Sequence, residues 1–491
     1  MAKFWWTALA LMISAGLWAA PAMAQSEESD NLGSIQRGGT EGAADTTLGK
    51  KGLTFSTDGF EVTLKTRVQF RMTYQNEVAG GNDGTNGRDF INFRVRRAKT
   101  WLGGYIFEKD FQYELLLNWV SGGDRIVEEA KFRWAVMQYI NINAGQQKLQ
   151  WNWEEAVSSG SQQFVDRSYV NEVFNQDYAK GIWIDGQVGE DTPWLKYWFG
   201  IYNGVLKANN DFRNADWAIQ PETFSNLVDG EMMINLRLET HPLGEVARRM
   251  NDARGEDERD KILFAIGLGV NWFMSGYDST DAFGNSNSRT DSLLNDGIDN
   301  DGDGIVDNEF ASSGRFRTSQ DTWAFTLDGH FRWMGLSVDI AYYWRHTEFH
   351  NRGANRFDPS GKAGISNLND SGFTFEVAYM ILANQLDVGV RFNMLNADDF
   401  WSGADSREWG IRPDTTELGL SVNYYIQGDN LKLTFDILMV SQQVPFAASS
   451  GGLLGVYNEP TSRVLGGGTI GSSESDHNDL WIVRLQLQWI F

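Results

Sequence analysis

The sequence contains no cysteine, so neither a disulfide framework nor thiolate chemistry is open to it. Proline is scarce, with only 8 in 491 residues. Pro193, Pro221, Pro242, Pro359, Pro413, Pro445 and Pro460 fall between patterned segments and none interrupts one, as a sheet without edge strands requires. Beyond Ala24 no run approaches the ~18 uninterrupted apolar residues that a membrane-spanning helix needs. Catalytic signatures are missing too: there is no Gly-x-Ser-x-Gly elbow, no Gly-Lys-Ser/Thr phosphate loop and no His-Glu-x-x-His helix.

What is present begins with an export pattern. Lys3, an apolar run over 4–19 and Ala22-Met23-Ala24 predict a signal peptide over residues 1–24, with the mature chain starting at Gln25. An exported chain without a spanning helix is either a soluble periplasmic protein or a barrel in the Gram-negative outer membrane. Composition favours the barrel. Aromatic residues make up 13%, with 20 Trp and 30 Phe, yet the mean hydropathy is −0.39. A soluble domain would have to hide that aromatic surface, whereas a barrel shows it to lipid around a polar lumen. Residues 25–58 read as a polar, flexible N-terminal segment and 59–491 as one barrel domain, since no Pro- or Ser-rich linker divides them.

Alternation supports this. Over 60–74, Phe60, Val62, Leu64, Val68, Phe70, Met72 and Tyr74 share one face; Glu61, Thr63, Lys65, Arg67, Gln69, Arg71 and Thr73 share the other. Over 481–491, Trp481, Val483, Leu485, Leu487, Trp489 and Phe491 oppose Arg484, Gln486 and Gln488, a pattern that resembles the closing strand of an outer-membrane barrel. Similar segments near 91–105, 111–119, 130–140, 141–149, 179–188, 194–203, 231–240, 262–274, 320–332, 335–346, 371–382, 384–394, 415–426 and 429–440 bring the total to sixteen. The expected fold is therefore all-β: a transmembrane antiparallel β-barrel of about 16 strands with long extracellular loops. Connections alternate between long and tight, except 241–260, whose charged run is read as a periplasmic excursion with a short helix.

Alternation also assigns Lys65, Arg67, Arg71, Arg94, Arg96, Lys131, Arg133, Lys196, Arg237, Arg345, Arg391, Lys432 and Arg484 to the lumen. Guanidinium groups there can replace part of an anion's hydration. The alternative is that these cations pair with Glu61, Glu114, Glu239, Asp339, Asp387, Glu417 and Asp436 and select nothing. The formal net charge of −23 does not decide this, because acids concentrate in the tail and outer loops, where screening is strong.

Asn92-Phe93-Arg94-Val95-Arg96-Arg97-Ala98, Ala144-Gly145-Gln146-Gln147-Lys148, Phe164-Val165-Asp166-Arg167-Ser168, Lys180-Gly181-Ile182 and Tyr202-Asn203-Gly204 occur in an order and spacing that resemble the phosphate-selective porins O and P. That resemblance implies a sixteen-stranded homotrimeric outer-membrane porin, a third extracellular loop folded into the pore, and small anions such as phosphate as solutes. It makes Arg167, in the loop from 150 to 178, the candidate constriction residue. Asp299, Asp301, Asp303 and Asp307, with Gly302 and Gly304, make the front half of a calcium loop, although position twelve is Phe310. No cofactor is required, and Ca²⁺ at 299–309 is the one ion suggested. His346, Glu348 and His350 offer a weaker metal pattern at a strand end. The function expected is passive diffusion of small solutes, with anion preference, and not catalysis. A surface-binding adhesin barrel and an outer-membrane barrel enzyme are the competing readings. No nucleic acid is expected among the partners.

Overall fold

The computed structural model describes residues 45–49, 52–78, 89–120, 126–137, 139–175, 178–189, 193–202, 230–255, 258–275, 320–349, 367–396, 398, 400–401, 408–410, 414–442 and 478–491. The signal-peptide segment and the 299–309 loop lie outside them. Strands β1 (Asp45–Gly49), β2 (Gly52–Thr57), β3 (Phe60–Val78), β4 (Asp89–Ile106), β5 (Glu108–Asn118), β6 (Val127–Met137) and β7 (Ile140–Lys148) come first. Then follow β8 (Tyr178–Val188), β9 (Leu195–Tyr202), β10 (Gly230–Thr240), β11 (Leu263–Ser275), β12 (Gln320–Trp333) and β13 (Leu336–Phe349). The remainder are β14 (Leu368–Leu382), β15 (Leu386–Asn396), β16 (Phe400–Trp401), β17 (Glu408–Gly410), β18 (Thr415–Gln427), β19 (Leu431–Gln442) and β20 (Asn478–Ile490).

Sixteen of these strands close on themselves in sequence order, each antiparallel to its neighbour. The seam joins β20 to β3, from Asp479 opposite Val78 to Ile490 opposite Arg67, and Phe491 and Thr66 exchange two backbone hydrogen bonds below it. Closure pairs every central strand on both sides, the condition for backbone to cross hydrocarbon. The β16–β17 ladder stands apart in a long connection. Within the N-terminal segment 25–58, β1 and β2 form a hairpin, and β2 continues the sheet beside the first residues of β3, where β20 has ended.

Exposure is inverted relative to a soluble fold. Phe93 is 61% exposed and Leu420 57%, whereas Arg71 is 1% exposed and Arg237 0%. Apolar side chains on the outer face suit lipid and buried charges on the inner face suit a polar lumen. The tight turns share one rim. Between β12 and β13, Met334 and Gly335 both take positive φ (51° and 83°), the conformation of a two-residue hairpin turn that glycine adopts without strain. Pro193 and Pro242 fall in connections on that same rim.

Several ladders shift register near strand ends, and two shifts inside β4 and β6 re-aim lumen charges. In β4 the register jumps from Gln69–Arg97 to Phe70–Val95, so Arg96 is the extra residue of a β-bulge. Arg94 and Arg96 face inward before it, and Arg97 and Lys99 face inward after it. In β6 the jump from Leu116–Glu129 to Leu117–Val127 makes Glu128 the extra residue, and it turns inward to ion-pair with Lys99.

Among the described residues of the exceptional connection 241–262 there is no α-helix. The connection folds up into the barrel mouth, where Val246, Met250, Asn251 and Asp252 are all buried.

Candidate permeation pathway

The connection between β7 and β8, here loop three, enters the lumen. Two short helices shape it: α1 (Trp153–Ala156), capped by the Asn152 side chain accepting from the Glu155 amide, and α2 (Tyr169–Phe174), capped by Ser168 accepting from Asn171. The Glu154 carboxylate ties the helices together by accepting from the Ser168 amide at 2.5 Å and its hydroxyl at 2.6 Å. Burial pushes the Glu154 carboxyl above its ordinary range, against the pull of Arg391 and these hydrogen bonds.

The loop lies against one side of the barrel. Trp151, Tyr169, Val170, Val173 and Phe174 pack on Trp183, Tyr202, Met233, Phe273 and Tyr343 in a buried apolar cluster. This is the largest of the apolar clusters that the loop enters, and such burial contributes about 25 cal/mol per Å². Gly269 on β11 makes room for it, since a Cβ there would sit 2.0 Å from the Trp151 carbonyl oxygen.

Most lumen cations on that side hold the loop and are not open to solute. Arg237 pairs with Asp328 and Glu239 and donates to the Trp151 carbonyl at 3.0 Å. Arg391 pairs with Glu417, donates to the Asp166 carbonyl at 2.9 Å and lies over the Phe164 ring. Lys432 donates to the carbonyls of Gly160 and Gln162, and Arg345 to that of Val173 while pairing with Asp370. Arg67 donates to the hydroxyls of Ser158 and Ser159 at 2.8 and 2.6 Å.

Arg167 differs from its expected role. It is buried inside the loop, donating to the carbonyls of Glu154, Glu155 and Val157 and pairing with Glu155 at 3.1 Å. It is an internal staple. The loop residue that meets the basic wall is its neighbour Asp166, which contacts Arg71 at 2.5 Å, Arg97 at 3.2 Å, Arg484 at 3.4 Å and Arg96 at 4.0 Å. Burial alone would raise the Asp166 carboxyl; the guanidinium groups of Arg71, Arg96, Arg97 and Arg484 overcome that and hold it well below the usual carboxylate range. Arg484 is shared with Asp436, while Arg94 makes no ion pair among the described residues. The Arg96 side chain is 36% exposed. Alternation had not supplied Arg97 or Lys99, because the bulge reverses the phase. A signal was present, since the apolar residues of β4 move from odd positions (Ile91, Phe93, Val95) to even ones (Ala98, Leu102, Ile106).

Below the arginines, towards the rim of tight turns, lies a cavity of about 900 Å³ lined by β3, β4, β5 and β6. Lys65, Arg67, Lys131 and Arg133 line it, as do Glu61, Glu114 and Asp429, together with Trp101, Tyr105 and Tyr113. Lys131 is held between Glu114 and Glu129, and Arg133 pairs with Asp185. Lys196 pairs with Glu245 at the rim. This chamber is therefore nearly balanced in charge, unlike the level above it. The candidate calcium ligands Asp299, Asp301, Asp303 and Asp307 lie outside the described residues, as does His350; His346 contacts Asn369. Among the described residues no group of His, Cys, Asp or Glu is arranged to hold a metal ion.

Residues 62–224, which span β3 to β9 and loop three, match the family model "Phosphate-selective porin O and P". That match covers about a third of the chain, whose fold is a closed sixteen-stranded outer-membrane β-barrel. No curated protein matches the sequence. Among solved structures, the chain is similar to the outer-membrane channel DcaP of Acinetobacter baumannii (10% identity, TM-score 0.46, covering 89% of this chain and 99% of that one). It is also similar to a loop L8 deletion mutant of OmpT from Vibrio cholerae (11%, TM-score 0.43, 87% and 99%) and to OprB of Pseudomonas putida (10%, TM-score 0.43, 88% and 94%). In the outer membrane the rim of long connections is extracellular and the rim of tight turns periplasmic.

Proposed function

We propose that this barrel is a diffusion porin that prefers small anions, phosphate among them, and that the guanidinium groups around Asp166 are its selectivity element. The observation that carries the reading is a charge imbalance. Arg71, Arg94, Arg96, Arg97 and Arg484 gather about Asp166 and Asp436, so five cations face two carboxylates and three positive charges are left over. Low-dielectric walls focus such a field along the throat. Arg71, Arg97 and Arg484 are buried and set the field, while Arg94 and Arg96 keep surface that a passing anion can touch. The planar fork of arginine suits the oxygens of a phosphate. The near-neutral chamber below lets the solute leave, since conduction needs binding weak enough to release. Homotrimeric assembly is proposed on the family likeness, and cross-linking of intact outer membranes tests it.

The test is the reversal potential of the purified porin in a planar bilayer under a chloride gradient, then with phosphate added. Anion preference with partial block by phosphate is expected. Arg94→Gln with Arg96→Gln should reduce the anion-to-cation permeability ratio severalfold while altering stability by no more than about 0.5 kcal/mol, as for exposed sites. A wild-type pore that favours cations would discard the reading.

A further inference from the structure

We infer that the periplasmic segment 241–255 is a second wall of the permeation pathway, which blocks the β10–β18 side of the lumen from below, braces the tip of loop three and so sets the conductance. The inference rests on the reading of the chain as a diffusion pore, but not on the sign of its selectivity.

The segment is anchored across the barrel mouth. Arg248 donates to the Glu239 carboxylate of β10 at 2.5 Å, and Arg332 of β12 donates to the Arg249 carbonyl at 2.7 Å. The Gly335 amide, in the β12–β13 turn, donates to Asp252 at 3.1 Å. Asn251 reaches Asp387 of β15 at 3.1 Å and the Tyr425 hydroxyl of β18 at 2.5 Å. Arg249 pairs with Asp429, beyond β18, at 3.0 Å. Other periplasmic connections turn in a few residues, so topology alone does not call for this span.

Its upper surface meets loop three. Val246 and Met250 pack with Trp153 and Val157 in a buried apolar cluster, and the Arg248 guanidinium lies over the Trp153 ring, 4.8 Å from its centre. The Met250 amide donates to the Ser161 carbonyl at 3.2 Å. The Ser161 hydroxyl bonds the same Asp429 carboxylate that Arg249 holds. Ser161 and Asp429 both line the 900 Å³ chamber. The segment is thus the back of that chamber's wall: on one side of the loop tip stand Arg67 and Lys432 from the barrel, and on the other stands this segment. The buried side chains of Asn251 and Asp252 both have hydrogen-bond partners, as a built contact requires.

Replacing residues 246–251 with a Gly-Ser linker of equal length should raise single-channel conductance about twofold or more and add fluctuation between levels, because a second lane opens and the loop tip loses one support. A folded variant, judged by heat-modifiable migration, with unchanged conductance and noise would overturn the inference. Should the linker variant fail to insert, Arg249→Ala with Asn251→Ala decides: greater open-channel noise supports the brace, and noise equal to the parent's refutes it. A pore of either variant that prefers cations yet conducts more would sink the anion reading while leaving this one standing.

Discussion

Along β10 to β19 the inward cations mostly hold loop three, whereas at the level of Asp166 the arginines of β20, β3 and β4 crowd against a single loop carboxylate, and nearer the rim of tight turns β3 to β6 border open space. Arg237 and Arg96 illustrate the difference. Both lie on the lumen side, but Arg237 satisfies two carboxylates and a carbonyl, while among the described residues Arg96 ion-pairs with Asp166 alone, at 4.0 Å. The first kind of arginine is structural and the second is available to a solute. A lumen cation is informative about transport only once its partners are counted.

The sharpest way to break this comparison is at the bulge. Deleting Ala98 leaves β4 one residue short and turns Arg97 or Lys99 towards lipid, at about 2–4 kcal/mol for a cation near the midplane. Little folded barrel should then appear in the outer membrane by heat-modifiable migration. Deleting Arg96 itself only removes the extra residue, so the barrel should insert normally and lose part of its anion preference. If both deletions behave alike, the bulge does not set the phase.

The next effect belongs to the filled side. Arg237→Ala leaves Asp328 and Glu239 buried without their shared cation, which typically costs about 3–5 kcal/mol. Thermal unfolding should fall accordingly, in contrast to the small stability effect expected at Arg94 and Arg96. Acid tests the open side. A depressed carboxyl contributes stability that is complete above its unfolded pKa and lost only as pH falls through the folded one, so the Asp166 tether should persist at mildly acidic pH. Conductance and noise should therefore be flat from about pH 7 to about pH 5, and Asp166→Asn should become noisy over the whole of that window. The smallest effect is proposed for the acidic loop. Millimolar calcium should protect residues 299–309 from proteolysis, and Asp301→Asn with Asp303→Asn should abolish that protection without changing conductance.

Strand number, closure order and the alternation of long and tight connections were legible because a lipid-facing barrel must repeat one constraint at every strand. The bulges were not, since period-two reading holds only while phase is unbroken, and nothing in Arg94-Val95-Arg96-Arg97 by itself says where the extra residue goes. The role of Arg167 was equally hidden. Neighbours in sequence, Asp166 and Arg167 point to opposite surroundings, and only the folded loop distinguishes the staple from the contact. The charged run at 241–260 suggested a periplasmic excursion with a short helix because two of its partners, Asp387 and Asp429, lie far along the chain in β15 and the β18–β19 turn. The early strand β2 was missed because it pairs with only a few residues of β3.

The seam between β20 and β3 runs through the arginine cluster. Arg71 belongs to the first strand of the barrel and Arg484 to the last, and in the closed register they stand near one another with Asp166 contacting both. Before closure the two guanidinium groups sit on opposite margins of an open sheet, and zipping the margins together drives like charge against like. The carboxylate carried by loop three neutralises that repulsion at the moment of joining. A misplaced loop would leave like charges facing each other across the seam, so loop position and barrel closure are coupled through one carboxylate.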